Sequence, residues 1–353
     1  MINPHVHCRD WAQSYKETIA HALSVAERTG VSAIIDPLNT DPSTSSLEVV
    51  EKRLIDAEKV KSRVFYGCLP VLTSSPDQIK EMLKATRAFQ AKNLENSAVV
   101  GLKLFTDSFS DEELQTIMQT LANEDFDRTL VCHCEDKNKF KPHLWNPQNP
   151  SSHSLARPEE AEVSAIQKII SLYSYTRFKG RLHIYHVSTP DSVDVIKHAK
   201  DNRIKITSEL TPHHCLLAVE DIPAGLEGLL FKVNPPLRPR SIQRQMLPLL
   251  KAGYISCIGS DCAAHTFNEK TGKALDTKGN PQYMSGFPGQ PFYPHFIDYL
   301  RKKGFGEEQL HKLTHANIEK IFGIQVPSSD KKPDLNLHKE YEVDVYENIR
   351  GKK

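Results

Sequence analysis

The chain has 353 residues, 39% of them hydrophobic and 25% charged, which are the values of a globular protein and exclude a disordered or fibrous one. A formal charge of +1 offers no bulk attraction to nucleic acid or anionic membrane, and no apolar run is long enough to cross a bilayer. The opening Met-Ile-Asn-Pro-His lacks the pattern of a signal peptide, and seven scattered cysteines with no Cys-x-x-Cys pair suit reduced thiols and a cytoplasmic location.

In chain order, β-rich runs end near His7, Asp36, Leu69, Phe105, Cys134, Val187, Glu209 and Ser260. Amphipathic stretches lie between and after them. These run Trp11 to Arg28, Ser43 to Val60, Pro76 to Gln90, Asp111 to Ala122, Pro158 to Tyr175, Pro190 to Ala199, Ser241 to Lys251 and Gln290 to Lys303. Ser75-Pro76-Asp77, Ser110-Asp111-Glu112 and Thr189-Pro190-Asp191 are first-turn signals, each a capping hydroxyl followed by Pro or acid residues. Strand and helix alternate eight times, which predicts a closed (β/α)₈ barrel over residues 1–323 rather than an open sheet. A last helix is expected near Glu307 to Phe322, followed by a tail over 324–353 that is charged and reads as peripheral, while its apolar Leu335, Leu337, Tyr341, Val343 and Val345 suggest that Pro327 to Tyr346 supplies part of the cover the barrel lacks. Ser285 to Gln290, with Gly286-Phe287-Pro288-Gly289 at its centre, reads as a mobile loop over the barrel mouth with little to anchor it.

Ionisable residues recur where these strands end: His5 and His7, Lys103, His133, His186 and Asp261. Barrel enzymes carry their chemistry at the C-terminal ends of strands. His5 and His7 are two apart, so a strand points both to one face, where they can grip one cation. Imidazole and carboxylate suit a divalent metal such as zinc. Lys103, in the apolar run Val99-Val100-Gly101-Leu102-Lys103-Leu104-Phe105, is costly as a buried ammonium. Carboxylated by carbon dioxide, it becomes a carbamate able to bridge two cations, and the pattern reads as a two-metal hydrolase. Asp261 can serve both as ligand and as a proton shuttle. Of the other histidines, His183 is expected to be structural, His143 and His153 solvated, and His213 and His214 to stand behind the ligands; Cys132 and Cys134 are expected to pack away from His133.

Several segments carry a resemblance to a known family. They are Pro4-His5-Val6-His7-Cys8-Arg9-Asp10, Gly101-Leu102-Lys103-Leu104-Phe105, His133-Cys134-Glu135, Arg157-Pro158-Glu159-Glu160-Ala161-Glu162 and Ile184-Tyr185-His186-Val187, then Val233-Asn234-Pro235-Pro236-Leu237-Arg238, Ser260-Asp261-Cys262-Ala263-Ala264-His265-Thr266 and Gly286-Phe287-Pro288-Gly289. In order and over nearly the whole chain they resemble the type I dihydroorotases of the cyclic amidohydrolase superfamily. The resemblance implies two zinc ions per chain, one held by His5, His7 and Asp261, the other by His133 and His186, with carboxylated Lys103 between them. It implies that Arg9, Asn39, Asn234 and His265 bind substrate, and that the reaction is the reversible closure of N-carbamoyl-L-aspartate to L-dihydroorotate in pyrimidine biosynthesis, with a bridging hydroxide and Asp261 as base and acid. These substrate residues suit the ligand chemically: a guanidinium forks onto a carboxylate, and carboxamides both donate and accept.

The pattern also departs from that family. Four residues precede His5, so the small β-sandwich of type I members is expected to be absent or vestigial. Asp261-Cys262-Ala263-Ala264-His265 stands where Asp-His-Ala-Pro-His is usual, and Asp36-Pro37-Leu38-Asn39-Thr40 where Met-Pro-Asn-Thr is usual. The alternatives are another cyclic amidohydrolase (a hydantoinase, dihydropyrimidinase or allantoinase) and a non-catalytic scaffold for aspartate carbamoyltransferase. An uncovered N-terminal barrel face further predicts a homodimer or a complex with such an enzyme, with no nucleic-acid or membrane partner.

Overall fold

In the computed structural model, which describes residues 1–41, 46–90, 95–337, 339–346 and 349, the strands pair in parallel, as βαβ units require. They are β1 (Ile2–Asn3), β2 (Val6–His7), β3 (Ala33–Pro37), β4 (Phe65–Leu69), β5 (Ser97–Val99), β6 (Leu102–Phe105), β7 (Thr129–His133), β8 (Arg181–Ile184), β9 (Ile206–Leu210), β10 (Cys257–Ile258) and β11 (Cys262–Ala263). Three hydrogen-bonded pieces result: β1-β3-β4-β5, β6-β7-β8-β9-β10, and β2-β11. Beyond β4, Lys103 N donates to Pro70 O and Leu72 N to Lys103 O, which joins the first piece to the second. At the other seam Asn3 Nδ2 donates to Ser260 Oγ at 2.8 Å, and Ser260 N to Asn3 Oδ1 at 3.0 Å. The order returns on itself at the eight predicted strand positions, with the first, fourth and eighth each broken in two. Among the described residues no strand lies outside these pieces, so no β-sandwich occurs there.

Helices follow the sequence signals closely. Pro76–Ala88, Asp111–Asn123 and Pro190–Asp201 begin at the capping Ser75, Ser110 and Thr189, and Ser110 with Glu113 forms a capping box. The expected helix from Trp11 is instead a short turn, Trp11–Gln13, followed by Ile19–Arg28 under a Thr18 cap. The expected start at Ser43 lies outside the described residues, and that helix is seen as Leu47–Lys59, capped by Ser46. No helix among the described residues is long and apolar enough to cross a membrane.

The barrel interior is filled by Ile2, Ile35, Val131, Tyr185 and Cys257, and Ile318, Phe322 and Ile324 pack against the same cluster. The last helix and the residues just after it thus add apolar side chains to the barrel's own cluster. The tail is not peripheral. Leu337, Val343, Val345 and Tyr346 are buried, and Tyr346 stacks on Phe292 with ring centres 4.3 Å apart and an interplanar angle of 5°. Residues 338, 347, 348 and 350–353 of the tail lie outside the described residues.

Candidate active site

At the C-terminal ends of the strands lies a cavity of about 160 Å³. All the ligand candidates read from the sequence line it: His5, His7, Lys103, His133, His186 and Asp261. Asp261 Oδ1 lies 3.0 Å from His5 Nε2 and 3.4 Å from His7 Nε2. Facing them, His133 Nδ1 and His186 Nε2 approach to 3.0 Å. Bonds of about 2.0–2.2 Å from one cation place neighbouring ligand atoms roughly 3–3.5 Å apart, so both groupings have the spacing of a coordination shell. His186 and Asp261 turn inward on backbone angles of φ +41° and +47°, a left-handed region that side-chain-bearing residues seldom occupy.

Lys103 sits between the two groupings, 1% exposed. Its Nζ has no hydrogen-bond partner among the described residues and lies 4.2 Å from the Tyr185 ring centre and 4.7 Å from that of Phe105. Burial pushes the amine down to about 8, so roughly a tenth of it is uncharged at pH 7, far more than for an ordinary lysine. An unpartnered, partly neutral amine amid imidazoles fits a lysine that takes up carbon dioxide and ligates. It does not fit a simple ion-pairing lysine.

Three of the four imidazoles are held from behind, those of His5, His7 and His133, while His186 Nδ1 is buried with no partner among the described residues. Glu209 Oε1 lies 2.9 Å from His5 Nδ1, and Asn39 Oδ1 lies 2.7 Å from His7 Nδ1. Burial, then the nearby Asp261, pushes the Glu209 carboxyl well up. Gly259 makes room for it, because a Cβ there would fall 2.2 Å from Glu209 Oε2. Glu135 Oε2 lies 3.0 Å from His133 Nε2 and receives the Arg157 guanidinium, which also reaches Asp107 Oδ2 at 3.0 Å. Burial, the largest single influence, would raise the Glu135 carboxyl, but Arg157 and His133 together outweigh it and hold the group well below the usual carboxylate range. These carboxylates fix which ring nitrogen faces the cavity, the role outer partners play at metal sites.

Arg9, 5% exposed, enters from the side of β2. Its Nη1 donates to Asn39 Oδ1 at 3.1 Å, and its Nη2 lies 3.2 Å from His265 Nε2. Arginine only donates, so His265 Nε2 accepts and its proton sits on Nδ1, facing Glu269 Oε2 at 3.6 Å. Burial lowers the His265 imidazole to about 3 and keeps it neutral for this task. Asn234 lines the same cavity.

The remaining histidines divide. His183 bonds Thr207 Oγ1 at 2.9 Å, and His214 bonds Pro235 O at 3.0 Å, both outside the cavity lining. His213 meets Tyr346 Oη at 3.1 Å. Cys132 and Cys134 pack in the core behind His133. His143 is exposed, but His153 is buried rather than solvated, with Nε2 at 2.8 Å from Asn234 Oδ1. The loop around Phe287 is also anchored, contrary to expectation. Phe287 is fully buried, Ala263 N donates to Phe287 O, Lys270 Nζ to Gly286 O and Gln290 Nε2 to Ala22 O. Gly286 has φ +149°, and a Cβ there would lie 2.7 Å from Ala263, so the close approach to β11, just after Asp261, needs glycine. Sequence reading gave no role to Glu209, Glu135, Asp107 or Arg157. The available signal was a carboxylate at the buried end of an apolar strand.

No protein-family model matches the chain. It is 28% identical over 353 residues to a dihydroorotase of Methanosphaera stadtmanae, covering 98% of this chain and 74% of that one. A dihydroorotase of Archaeoglobus fulgidus is 29% identical over 330 residues, covering 92% and 72%. One from Staphylococcus aureus is 31% identical over 280 residues, covering 76% and 61%. Among solved structures, an L-hydantoinase (dihydropyrimidinase) from Arthrobacter aurescens superposes with a TM-score of 0.77 at 22% identity, covering 97% of this chain and 80% of that one. A D-hydantoinase (dihydropyrimidinase) from Thermus sp. gives 0.71 at 19%, covering 93% and 73%. These structures share the barrel fold with this chain.

Proposed function

We propose that the chain is a dihydroorotase of the cyclic amidohydrolase superfamily and that it interconverts N-carbamoyl-L-aspartate and L-dihydroorotate by reversible cyclic amide hydrolysis, a reading supported by its similarity to curated dihydroorotases. The observation that carries the substrate assignment is Arg9. A buried guanidinium, braced by Asn39 and His265 beside the His/Asp cluster, is a receptor for a carboxylate. Dihydroorotate has that carboxylate; hydantoin and dihydrouracil do not. The scaffold alternative needs no intact cluster, whereas here every ligand position is filled.

In this proposal His5, His7 and Asp261 hold one divalent ion, His133 and His186 a second, and carboxylated Lys103 lies between; zinc suits the donor set. Bound there, the ions supply Lewis acidity and lower the pKa of water. Asp261 takes the proton of the attacking water and returns it to the leaving ring nitrogen. Arg9 forks onto the substrate carboxylate, His265 keeps the fork in plane, and Asn39 and Asn234 fix the ureide. In the synthetic direction a dianion becomes a monoanion, so closure consumes one proton and is favoured by lower pH. The scatter of seven cysteines with no Cys-x-x-Cys pair, all of them buried, supports a cytoplasmic setting. A homodimer, or a complex with aspartate carbamoyltransferase, is kept as a proposal that sedimentation at micromolar concentration decides. Metal analysis and turnover of dihydroorotate by the purified protein test the whole.

A further inference from the structure

His153 lies in a short helix, His153–Ala156, of the loop after β7, distant in sequence from every ligand candidate, yet it is buried against the pocket wall. Its Nε2 contacts two oxygens, Val233 O at 3.2 Å and Asn234 Oδ1 at 2.8 Å. The first is a main-chain carbonyl, which can only accept. Nε2 must therefore carry the proton, and an Nε2–H can meet Asn234 only at its amide oxygen. Burial first, and then Lys232 and Arg157, keep the ring neutral, so Nδ1 is left without the proton. Trp145 closes over the ring edge-on, its centre 5.3 Å away, and fixes its plane. With Oδ1 taken, the Asn234 amide has its NH₂ left over, and that group has no partner among the described residues.

We propose that His153 is a positioning residue that locks the Asn234 amide with its oxygen turned away from the pocket and its NH₂ turned into it, so that the substrate edge lying there must present an oxygen acceptor. The same logic holds across the cavity. Asn39 Oδ1 is occupied by His7 Nδ1 and Arg9 Nη1, which leaves Asn39 its NH₂ as well. The two carboxamides therefore act as donors, and the pocket selects carbonyl and carboxylate oxygens over N–H groups. This rests on the reading of the cavity as a dihydroorotate site, which places Asn234 against substrate.

Two measurements test it, and the first does not involve turnover. In protein labelled with ¹⁵N-histidine, the long-range ¹H–¹⁵N pattern that disappears in His153→Gln should be that of a neutral ring protonated on Nε2. A ring protonated on Nδ1 would overturn the proposal. In kinetics, His153→Ala should raise KM for dihydroorotate about tenfold, as expected for one hydrogen bond of about 1–1.5 kcal/mol, with kcat and metal content little changed. His153→Gln, whose amide can donate to both oxygens, should recover most of that loss. Asn234→Ala should raise KM likewise, and the double variant His153→Ala/Asn234→Ala should be no worse than Asn234→Ala alone. Additive losses, or a fall confined to kcat, would contradict it. If the wild type turns over neither substrate, the dihydroorotase reading fails, while the tautomer still decides the part played by His153.

Discussion

The amino nitrogen of Lys103 lies 4.2 Å from the centre of the Tyr185 ring, buried and with no hydrogen-bond partner among the described residues. The π-face offers it some attraction, but not the oxygens a buried ammonium needs. Carboxylation, as proposed, would resolve the mismatch by converting a misplaced cation into a two-oxygen ligand. Lys103→Ala should lose bound metal and activity together, and short carboxylic acids should restore part of both. Metal content by elemental analysis, read beside turnover, checks this, and a fully active variant would rule the carbamate out.

Asp261 touches both His5 and His7 and lines the cavity. Asp261→Asn keeps the shape and one oxygen but cannot take a proton. It should retain the fold and at least one ion while turnover drops by roughly 10²–10⁴-fold, the usual worth of a positioned general base. Normal turnover in that variant would require a different base.

Much of this site was legible in the sequence, and the misses have physical reasons. The six ionisable residues that line the cavity were visible because they sit at strand ends, where the 3.6-residue and two-residue periodicities change over. The loop around Phe287 was misjudged, and so was the peripheral reading of the tail, though its apolar residues had also suggested a covering role, which the burial of Leu337, Val343 and Val345 favours. Loop and tail are held by contacts with residues far away in the chain, such as Gln290 with Ala22 and Tyr346 with His213, and no local pattern encodes those. His153 was misjudged for the same reason, because its surroundings in sequence are Pro, Asn and Ser while its surroundings in space are Trp145 and Asn234. Glu209 and Glu135 looked like ordinary strand-end acids until the fold brought histidines to them.

The tail should matter for stability. Tyr346 is fully buried, stacked on Phe292 and bonded to His213. Tyr346→Ala should cost about 3–5 kcal/mol, and Tyr346→Phe, which removes only the hydroxyl, about 1 kcal/mol. Urea unfolding measures both. Equal, negligible costs would make the tail an appendage.

Acid should destabilise the fold through its buried neutral histidines. Burial lowers His153 and His183 to about 3, against about 6.5 in an unfolded chain. Between those values the unfolded state binds the extra protons, so stability rises with pH in that window and is lost as pH falls from about 6.5 toward 3. Each such ring contributes a slope of up to about 1.4 kcal/mol per pH unit. The pH dependence of unfolding should therefore flatten by one histidine's share in His153→Gln, and an unchanged slope would contradict the burial argument.

The central claim is that this pocket is built for a substrate carboxylate, and turnover of dihydroorotate beside hydantoin and dihydrouracil tests it most directly, in the wild type and in Arg9→Lys. The account predicts hydrolysis of dihydroorotate, little of the other two rings, and a clear rise in KM for dihydroorotate in Arg9→Lys, where the charge remains but the fork is lost. Rates on hydantoin or dihydrouracil equal to that on dihydroorotate, unaffected by Arg9→Lys, would contradict it.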